Sequence, residues 1–444
     1  MQEQERTVLA PPRGWRRLIT LGPGLVWAAS SVGVGELVFA TRAGALFGLA
    51  LLWAPIVSII LKYFITELVG RYTLVTGENV VQAFARVEVN LGFLRLPPGW
   101  IRWIFWIFFI ASVAGMGGIA LAVGSSLHGL FPAFSYITWA IIALASVGLV
   151  LLLGSYKALE MISRFLVAVM IFFIFYAVFK APPPAGDFVC SLVPHVPSNS
   201  LRELLPLLGW TGAGAIGTIW FSLWTQSTGR GTTGPSAILQ PDETRRVRGW
   251  MQINRIDLGI NSAITAVLTV GFLIAGSSIL RPLHIVPGGE GMGTALAKIA
   301  GDSFGQYGEI IFLVGVFATL YSTLLADVDG LCRVAKNLLK SRLTGVLSRI
   351  GAYRIFLCVY ILFSALFAAI IPAPVILLQL TALIDTLLLP VVIVMGVRIC
   401  LRFLPEEFRP GRFTVCMAYG SAAFFAFFIV LLAIAVGKGL SFGL

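Results

Sequence analysis

The chain has 444 residues, of which 58% are hydrophobic and 12% are charged, and its formal net charge is +12. A soluble domain carries roughly 25% charged residues, so this composition excludes a soluble globular protein. The apolar residues form blocks of about 20, which is long enough for a helix to cross a hydrocarbon core of about 30 Å. No block alternates in the manner of a barrel strand, and the sequence therefore predicts an all-α polytopic membrane protein.

Eleven apolar blocks follow one another along the chain and predict 11 transmembrane helices. Their approximate limits are residues 18–46, 48–70, 100–131, 135–155, 159–181, 203–226, 252–280, 306–331, 353–372, 375–400 and 413–437. The segment before them, residues 1–17, is polar and basic and contains no small-residue cleavage site. We therefore expect a cytoplasmic N-terminal segment rather than a cleaved signal peptide.

The basic residues indicate the orientation of these helices. With the N-terminus placed inside, 25 of the 32 lysines and arginines fall in inside segments and six in outside segments. Cytoplasmic loops hold the excess of basic residues, so we predict a multi-pass protein of the cell membrane with a cytoplasmic N-terminus and an extracytoplasmic C-terminus. Because this charge lies in short loops, we expect no nucleic-acid partner. The expected partners are the lipid bilayer and a small inorganic ion as substrate. The sequence leaves the oligomeric state open, and a monomer is compatible with it.

The first block is interrupted by glycine near its middle. Gly33 and Gly35 flank Val34, and Glu36 follows inside an otherwise apolar segment. An acidic residue within a membrane span requires a partner or water, and by default it marks a functional site. We therefore predict that helix 1 is broken here and that its second half begins near Gly35.

The sixth block has the same character. Gly212, Gly214 and Gly217 precede a polar and aromatic stretch, residues 218–225. Two glycine-interrupted helices five spans apart are typical of an inverted five-helix repeat, in which the substrate binds at the midplane between the broken helices. The second half of helix 6 is expected to begin near Ser222.

This repeat divides the chain into five predicted parts. They are a cytoplasmic segment at residues 1–17, a first five-helix repeat at 18–181, an extracellular connector at 182–202, a second five-helix repeat at 203–402, and helix 11 with the C-terminus at 403–444.

The broken first helix lies in a longer stretch, GPGLVWAASSVGVGELVFATRAGALFG, which is followed by LVTGENV. These residues resemble the start of the Nramp (natural resistance-associated macrophage protein) divalent-metal transporters, whose first helix contains Gly-Pro-Gly, Asp-Pro-Gly-Asn and Ala-Gly-Ala-Leu-Phe-Gly. Further similarity lies in YKALEMISRFLV, in LGINSAITA and at Leu389–Pro390. The resemblance covers most of helices 1–10 and implies a LeuT-like fold with helices 1 and 6 unwound.

The chain departs from this family at the metal-binding motifs. The positions of Asp-Pro-Gly-Asn are occupied here by Gly33, Val34, Gly35 and Glu36, and those of the helix-6 Met-Pro-His by Phe221, Ser222 and Leu223. A site of the family type binds softer divalent metals through carboxylate and thioether ligands. Their replacement predicts that the transition-metal site is lost, so we expect no iron or manganese site of the family type.

Two helix N-termini and several glycines remain at the predicted breaks, and both features favour an anion. We predict a secondary transporter for a small inorganic anion or carboxylate-like solute, with bicarbonate as the first choice. The candidate substrate-binding residues are Gly33, Val34, Gly35, Glu36, Thr218, Ile219, Trp220, Phe221 and Ser222. The alternatives are a transporter for a hard divalent cation, Mg²⁺ or Mn²⁺, that uses Glu36, a transporter for an amino acid or small carboxylate, and a non-transporting membrane sensor.

Sodium is the one candidate coupling ion, and no other cofactor is expected. Its candidate site joins the first and eighth helices through Ala29, Ser30, Ser322, Thr323 and Asp327. No nucleophile is positioned beside a base, so we expect no enzyme and assign no catalytic residue.

Further charges lie within the apolar blocks. Asp385 lies deepest, in the middle of the tenth block, and must have a partner or water. In the second block, Lys62 and Glu67 are expected to satisfy each other.

Overall fold

The computed structural model describes residues 8–12, 14, 33–90, 95–153, 157–212, 214–231, 240–339 and 351–438. The first helix, α1, is described from residue 33 onward. It begins as a π-helical stretch, Gly35–Ala40, and continues as an α-helix, Thr41–Phe47. Val34 is already helical, next to the predicted start near Gly35. The residues before Gly33, on which the predicted break of helix 1 depends, lie outside the described residues.

The remaining helices follow in the order expected from the apolar blocks. They are α2 (Trp53–Thr76), α3 (Val80–Phe84), α4 (Ile101–Leu130), α5 (Tyr136–Leu153), α6 (Lys157–Lys180), α7 (Ala185–Cys190), α8 (Leu201–Trp210), α9 (Ala215–Ser227), α10 (Pro241–Ala275), α11 (Met292–Leu339), α12 (Ala352–Ile370), α13 (Pro374–Phe403) and α14 (Arg412–Gly437). Short 3-10 turns lie at Gly289–Gly291 and Glu406–Phe408, and a π-helical stretch, Gly276–Leu280, extends α10. Two short strands, β1 (Val89–Asn90) and β2 (Arg95–Leu96), pair antiparallel between α3 and α4.

Within the described residues, nine helical segments are long and apolar enough to cross a membrane. The chain is therefore a multi-pass membrane protein whose described membrane-spanning segments are helices. The predicted first span is described only from Gly33, and α6 contributes a shorter apolar segment at Val169–Lys180. The predicted count of 11 spans and the division into repeats stay predictions.

The sixth span is broken between α8 and α9. Gly212 has a φ of 71°, a left-handed conformation that glycine adopts without steric cost. Gly214 is extended, and the chain returns to helix at Ala215. The expected start near Ser222 was wrong, because the helix resumes directly after the last of these turn-forming residues, which places Ser222 two turns inside α9.

Small residues allow the broken first helix to approach its neighbours closely. A Cβ built on Gly44 would lie 2.1 Å from the carbonyl oxygen of Leu273 in α10. A Cβ built on Gly35 would lie 2.3 Å from the carbonyl oxygen of Trp210 at the end of α8. Glycine at position 44 therefore brings α1 into backbone contact with α10, and glycine at position 35 brings it into backbone contact with the broken sixth span.

Candidate functional site

A cavity of about 90 Å³ lies between the two helix breaks, with walls from α1, α4, α8, α9, α11 and α13. By a comparable measure, one water molecule requires about 10–15 Å³, so the cavity has room for a few waters or one small solute. Seven predicted site residues line it: Gly33, Val34, Gly35, Glu36, Trp220, Thr323 and Asp327.

Glu36 joins the two breaks. Its side chain is fully buried, and its Oε2 accepts a hydrogen bond from the backbone N–H of Gly33 at 3.1 Å. Its Oε1 accepts a second from the backbone N–H of Gly212 at 2.8 Å. A carboxylate is an acceptor-only group, so both oxygens are suited to the unpaired N–H groups that a helix break exposes.

Lys62 lies on the other side of the helix-6 break. The expected pairing with Glu67 was wrong: the Lys62 ammonium donates to the carbonyl oxygens of Gly209 at 2.6 Å and Thr211 at 3.0 Å. Glu67 instead pairs with Arg71 at 2.6 Å and with Arg255 at 3.0 Å. Five residues along a helix correspond to about 500° of rotation, which points Lys62 and Glu67 to different sides of α2.

Asp385 holds the N-terminus of α9. Its Oδ1 accepts a hydrogen bond from the backbone N–H of Ile216 at 3.1 Å. A Cβ built on Gly214 would lie 1.6 Å from Oδ2 of Asp385, so only glycine allows this approach. The predicted need of Asp385 for a partner is thus met by the first turn of α9, where a negative charge is favourable.

The charges at the breaks nearly cancel. The Glu36 and Asp385 carboxylates interact with the Lys62 ammonium. The N-termini of α1 and α9 each carry about half a positive charge and the C-terminus of α8 about half a negative charge. The sum leaves about half a negative charge at this part of the site.

Asp327 is the acidic group of the cavity wall that takes no part in the contacts of Glu36, Lys62 and Asp385. It lines the cavity from α11 and has no hydrogen bond or ion pair to any other described residue. Thr323 lies one turn earlier, and its Oγ1 would be 2.8 Å from a Cβ built on Gly33, so α11 touches the helix-1 break. The side chain of Ser322 donates to the carbonyl oxygen of Thr319 and does not line the cavity. Ala29 and Ser30 lie outside the described residues.

Four predicted substrate-binding residues lie in α9 away from this cavity. Thr218 donates to the carbonyl oxygen of Gly214 at 3.0 Å. Ile219 is buried, and Phe221 is buried against Leu258. Ser222 accepts from the backbone N–H of Val80 at 2.9 Å and shares a hydrogen bond with the Thr73 hydroxyl. The earlier start of α9 explains this placement, since the residues that face the helix-1 break are those of its first turns.

Sequence reasoning missed several lining residues. Ser112, Met116 and Thr381 face the cavity from α4 and α13, and so does Asp385, which was noted as a deep acid but not assigned to the site. Asp385 carried a signal, because an acid within an apolar span marks a site by default. Ser112, Met116 and Thr381 are residue types common in any membrane helix, so composition gave no signal for them.

Metal-ligating side chains do not cluster in the part of the chain that is described: no three His, Cys, Asp or Glu residues there stand close enough to hold an ion together. Three acidic side chains do share the cavity wall, and they are Glu36, Asp327 and Asp385.

The model of the natural resistance-associated macrophage protein-like (Nramp) family matches residues 24–435. The chain belongs to the Nramp family. A comparison with curated protein sequences finds no match. The predicted family is confirmed.

Solved structures share the fold across the whole chain. The Eremococcus coleocola manganese transporter, in complex with an aromatic bis-isothiourea substituted compound, has a TM-score of 0.71 at 17% identity, covering 99% of this chain and 92% of that one. Mhp1, a nucleobase-cation-symport-1 family transporter with bromovinylhydantoin bound, has a TM-score of 0.58 at 13% identity, covering 97% of each chain. MhsT in complex with L-phenylalanine has a TM-score of 0.54 at 13% identity, covering 93% of this chain and 98% of that one. At these identities the likeness shows the fold alone, and it confirms the predicted LeuT-like class; family and fold together are those of a transporter.

Proposed function

We propose that this Nramp-family protein is a secondary transporter for a small monovalent oxyanion, with bicarbonate as the first candidate. The proposal rests on the hydrogen bonds of the two carboxylates at the breaks. Glu36 and Asp385 both accept backbone N–H groups, so they hold the broken helices instead of standing free as a joint ligand pair for a metal.

The chemistry of the cavity wall supports the same cargo. Glycine backbone lines the cavity at five positions: Gly33, Gly35, Gly212, Gly214 and Gly217. Glycine lets backbone N–H groups approach an anion closely. The N–H groups of Gly33 and Gly212 already donate to Glu36, so contact with an anion falls to Gly35, Gly214 and Gly217. Bicarbonate also carries its own hydroxyl donor, which suits a wall that includes carboxylates better than a halide or nitrate would.

The size of the cavity favours a compact solute. Pockets that hold drug-sized ligands measure about 300–1,000 Å³, and this cavity measures about 90 Å³. An amino acid cargo therefore receives less support than an inorganic ion.

Sodium is the proposed coupling ion, bound by Asp327 and Thr323 where α11 touches the helix-1 break, with Ser322, Ala29 and Ser30 as the other predicted contributors. Asp327 is partly buried, lines the cavity and has no partner among the described residues, and a bound cation would neutralise it. In transporters with broken helices, coupling cations bind at such unwound segments. A cation here would also lower the electrostatic cost of admitting an anion.

The second candidate cargo is a divalent cation. Glu36, Asp327 and Asp385 line the cavity, and no lysine or arginine does so among the described residues. Met116 adds a thioether, which favours Mn²⁺, whereas carboxylates alone favour Mg²⁺.

The place of action is the cell membrane, with the N-terminus in the cytoplasm. The excess of basic residues in alternate loops supports this orientation.

Uptake into liposomes tests the proposal. Purified protein is reconstituted, and entry of radiolabelled bicarbonate is followed at alkaline pH, where little CO₂ is present to leak through the lipid; protein-free liposomes give the blank. Sodium, potassium and choline gradients are compared, and Mn²⁺ and Mg²⁺ entry is read with metal-sensitive dyes. We expect sodium-driven bicarbonate accumulation and no metal entry. Metal entry without bicarbonate uptake would overturn the anion proposal and favour the second candidate.

Asp327→Asn examines the coupling site in the same assay. Loss of the carboxylate is expected to lower the sodium-driven component about tenfold or more, equivalent to at least about 1.4 kcal/mol of binding. Asp329→Asn is the matched control, because the Asp329 carboxylate bonds Arg333 at 2.8 Å and Tyr353 at 2.6 Å and does not line the cavity. Unchanged sodium stimulation in Asp327→Asn would remove Asp327 from the coupling site.

A further inference from the structure

A lysine occupies the C-terminal end of α8, where the sixth span breaks. Lys62 is 2% exposed, and its ammonium lies 2.6 Å from the carbonyl oxygen of Gly209 and 3.0 Å from that of Thr211. One turn earlier on α2, the Ser58 hydroxyl donates to the carbonyl oxygen of Leu208 at 2.6 Å. The last carbonyls of a helix have no partner within it, so α2 supplies donors to the end that the break exposes.

The two carbonyl oxygens that contact this ammonium are of the kind that bind alkali cations in other transporters of this class. In broken-helix transporters, unwound carbonyls and the C-terminal ends of half-helices coordinate the coupling cation. In this chain, Lys62 donates to carbonyl oxygens of this kind. The negative charges of Asp385 and Glu36 interact favourably with its ammonium. A buried ammonium without such partners would cost several kcal/mol, roughly, and would not persist.

We propose that Lys62 is a resident cation of the helix-6 break, a tethered ammonium in the place that a free alkali cation would otherwise fill. Its charge stays with the protein throughout the transport cycle, so the helix-6 break requires no ion from solution. A free coupling ion then binds elsewhere, at the helix-1 break near Asp327. The inference concerns the break itself and holds whether the cargo is bicarbonate or a divalent cation.

Chemical rescue tests this inference without any transport assay. Lys62→Ala removes the side chain and leaves room for a small cation beside the carbonyl oxygens of Gly209 and Thr211. The thermal unfolding midpoint of purified protein is measured in choline chloride and then with increasing sodium, ethylammonium or propylammonium. We expect a lowered midpoint for Lys62→Ala in choline, and recovery of at least half of the loss, saturably, with an alkylammonium. The unsubstituted protein should show no alkylammonium response.

Two further variants separate charge from packing. Ser58→Ala removes a neutral donor to the same helix end, and it should lower the midpoint without creating a response to any cation. Lys62→Met keeps the bulk of the side chain and removes the charge, so it should be destabilised and beyond rescue, because its own side chain fills the space.

Two results would overturn the inference. One is a Lys62→Ala protein that unfolds at the same midpoint in choline and in alkylammonium. The other is a Lys62→Met protein as stable as the unsubstituted chain, which would show that no positive charge is needed; this comparison decides the matter even if Lys62→Ala fails to fold. Failure of the bicarbonate proposal leaves each of these readings unchanged.

Discussion

At the scale of single residues, substitution of Glu36 tests whether its carboxylate has a structural role or binds a metal. Glu36→Gln retains one acceptor oxygen and turns an NH₂ donor toward one of the backbone N–H groups of Gly33 and Gly212. A buried N–H left without an acceptor costs about 1–3 kcal/mol. We expect a thermal unfolding midpoint several degrees lower for Glu36→Gln in metal-free buffer, together with loss of uptake.

Glu290→Gln is the control for that substitution. Glu290 is more than half exposed and pairs only with His128 in the described chain, and exposed pairs contribute about 0–1 kcal/mol. Its midpoint should stay close to that of the unsubstituted protein. If Glu36→Gln matched the unsubstituted midpoint in metal-free buffer, and Mn²⁺ stabilised only the unsubstituted protein, then Glu36 would be a metal ligand and not a clasp between the breaks.

The sequence revealed those site residues whose side chains are energetically unfavourable in a membrane. Glu36 and Asp385 stand out because a charge in hydrocarbon needs an explanation, and both line the cavity. Their partners did not stand out, since backbone N–H and C=O groups carry no sequence signature. Lys62 was paired with the wrong group for this reason: its true partners are the carbonyls of Gly209 and Thr211.

At the scale of helices, Gly35 sets how closely the two broken spans approach. Gly35→Ala would place a Cβ 2.3 Å from the carbonyl oxygen of Trp210, and backbone cannot yield as a flexible side chain can. Overpacking of this kind costs about 1–3 kcal/mol. We expect a lower unfolding midpoint and at least a tenfold loss of uptake, because the shift moves Glu36 away from the N–H of Gly212.

Gly259→Ala provides the matched comparison. Gly259 lies within α10, and a Cβ there would meet no atom within 4 Å. Alanine is favoured over glycine inside a helix by about 1 kcal/mol, so this variant should be as stable as the unsubstituted protein or slightly more so. Equal behaviour of Gly35→Ala and Gly259→Ala would refute the close approach at the breaks.

The break positions show where element-scale prediction succeeds. Glycines identified the interrupted sixth span, and α1 is helical from Val34, next to the predicted start near Gly35. The interruption of the first span stays a prediction. In the sixth span, the second half of the helix was predicted to begin near Ser222 because a polar stretch lies there. The residue that allows the break, Gly212 in its left-handed conformation, lies ten residues earlier. A positive φ is a property of the backbone, and three nearby glycines leave its position ambiguous.

At the scale of the whole molecule, the apolar blocks and the family resemblance predicted the class and the LeuT-like fold, because hydrocarbon thickness dictates span length. The cargo is not fixed in the same way. Helix spacing follows from many residues, whereas selectivity depends on a few groups such as Asp327 and Met116, which face one cavity only once the helices are assembled.

The last prediction concerns alternating access, which requires the two ends of the bundle to open in turn. Arg42 in α1 bonds Glu203 in α8 through Nη2 at 2.6 Å and Nε at 3.3 Å, and Gln379 in α13 donates to the same carboxylate at 3.0 Å. This network ties three cavity-forming helices at one end. Arg42→Ala leaves Glu203 without its positive partner, so separation of these helices should become easier.

The accessibility of a cysteine introduced into the cavity measures this opening. Thr381→Cys is introduced into a chain whose five native cysteines are replaced, and its labelling rate by a water-soluble maleimide is measured with and without Arg42→Ala. A rise of about tenfold corresponds to a shift of about 1.4 kcal/mol toward the open state. Arg248→Ala, which breaks the exposed pair with Glu407, should leave the rate unchanged. An unchanged or lower rate in Arg42→Ala would mean that the network stabilises the helices without closing this end, because a closing contact must slow labelling wherever it is intact.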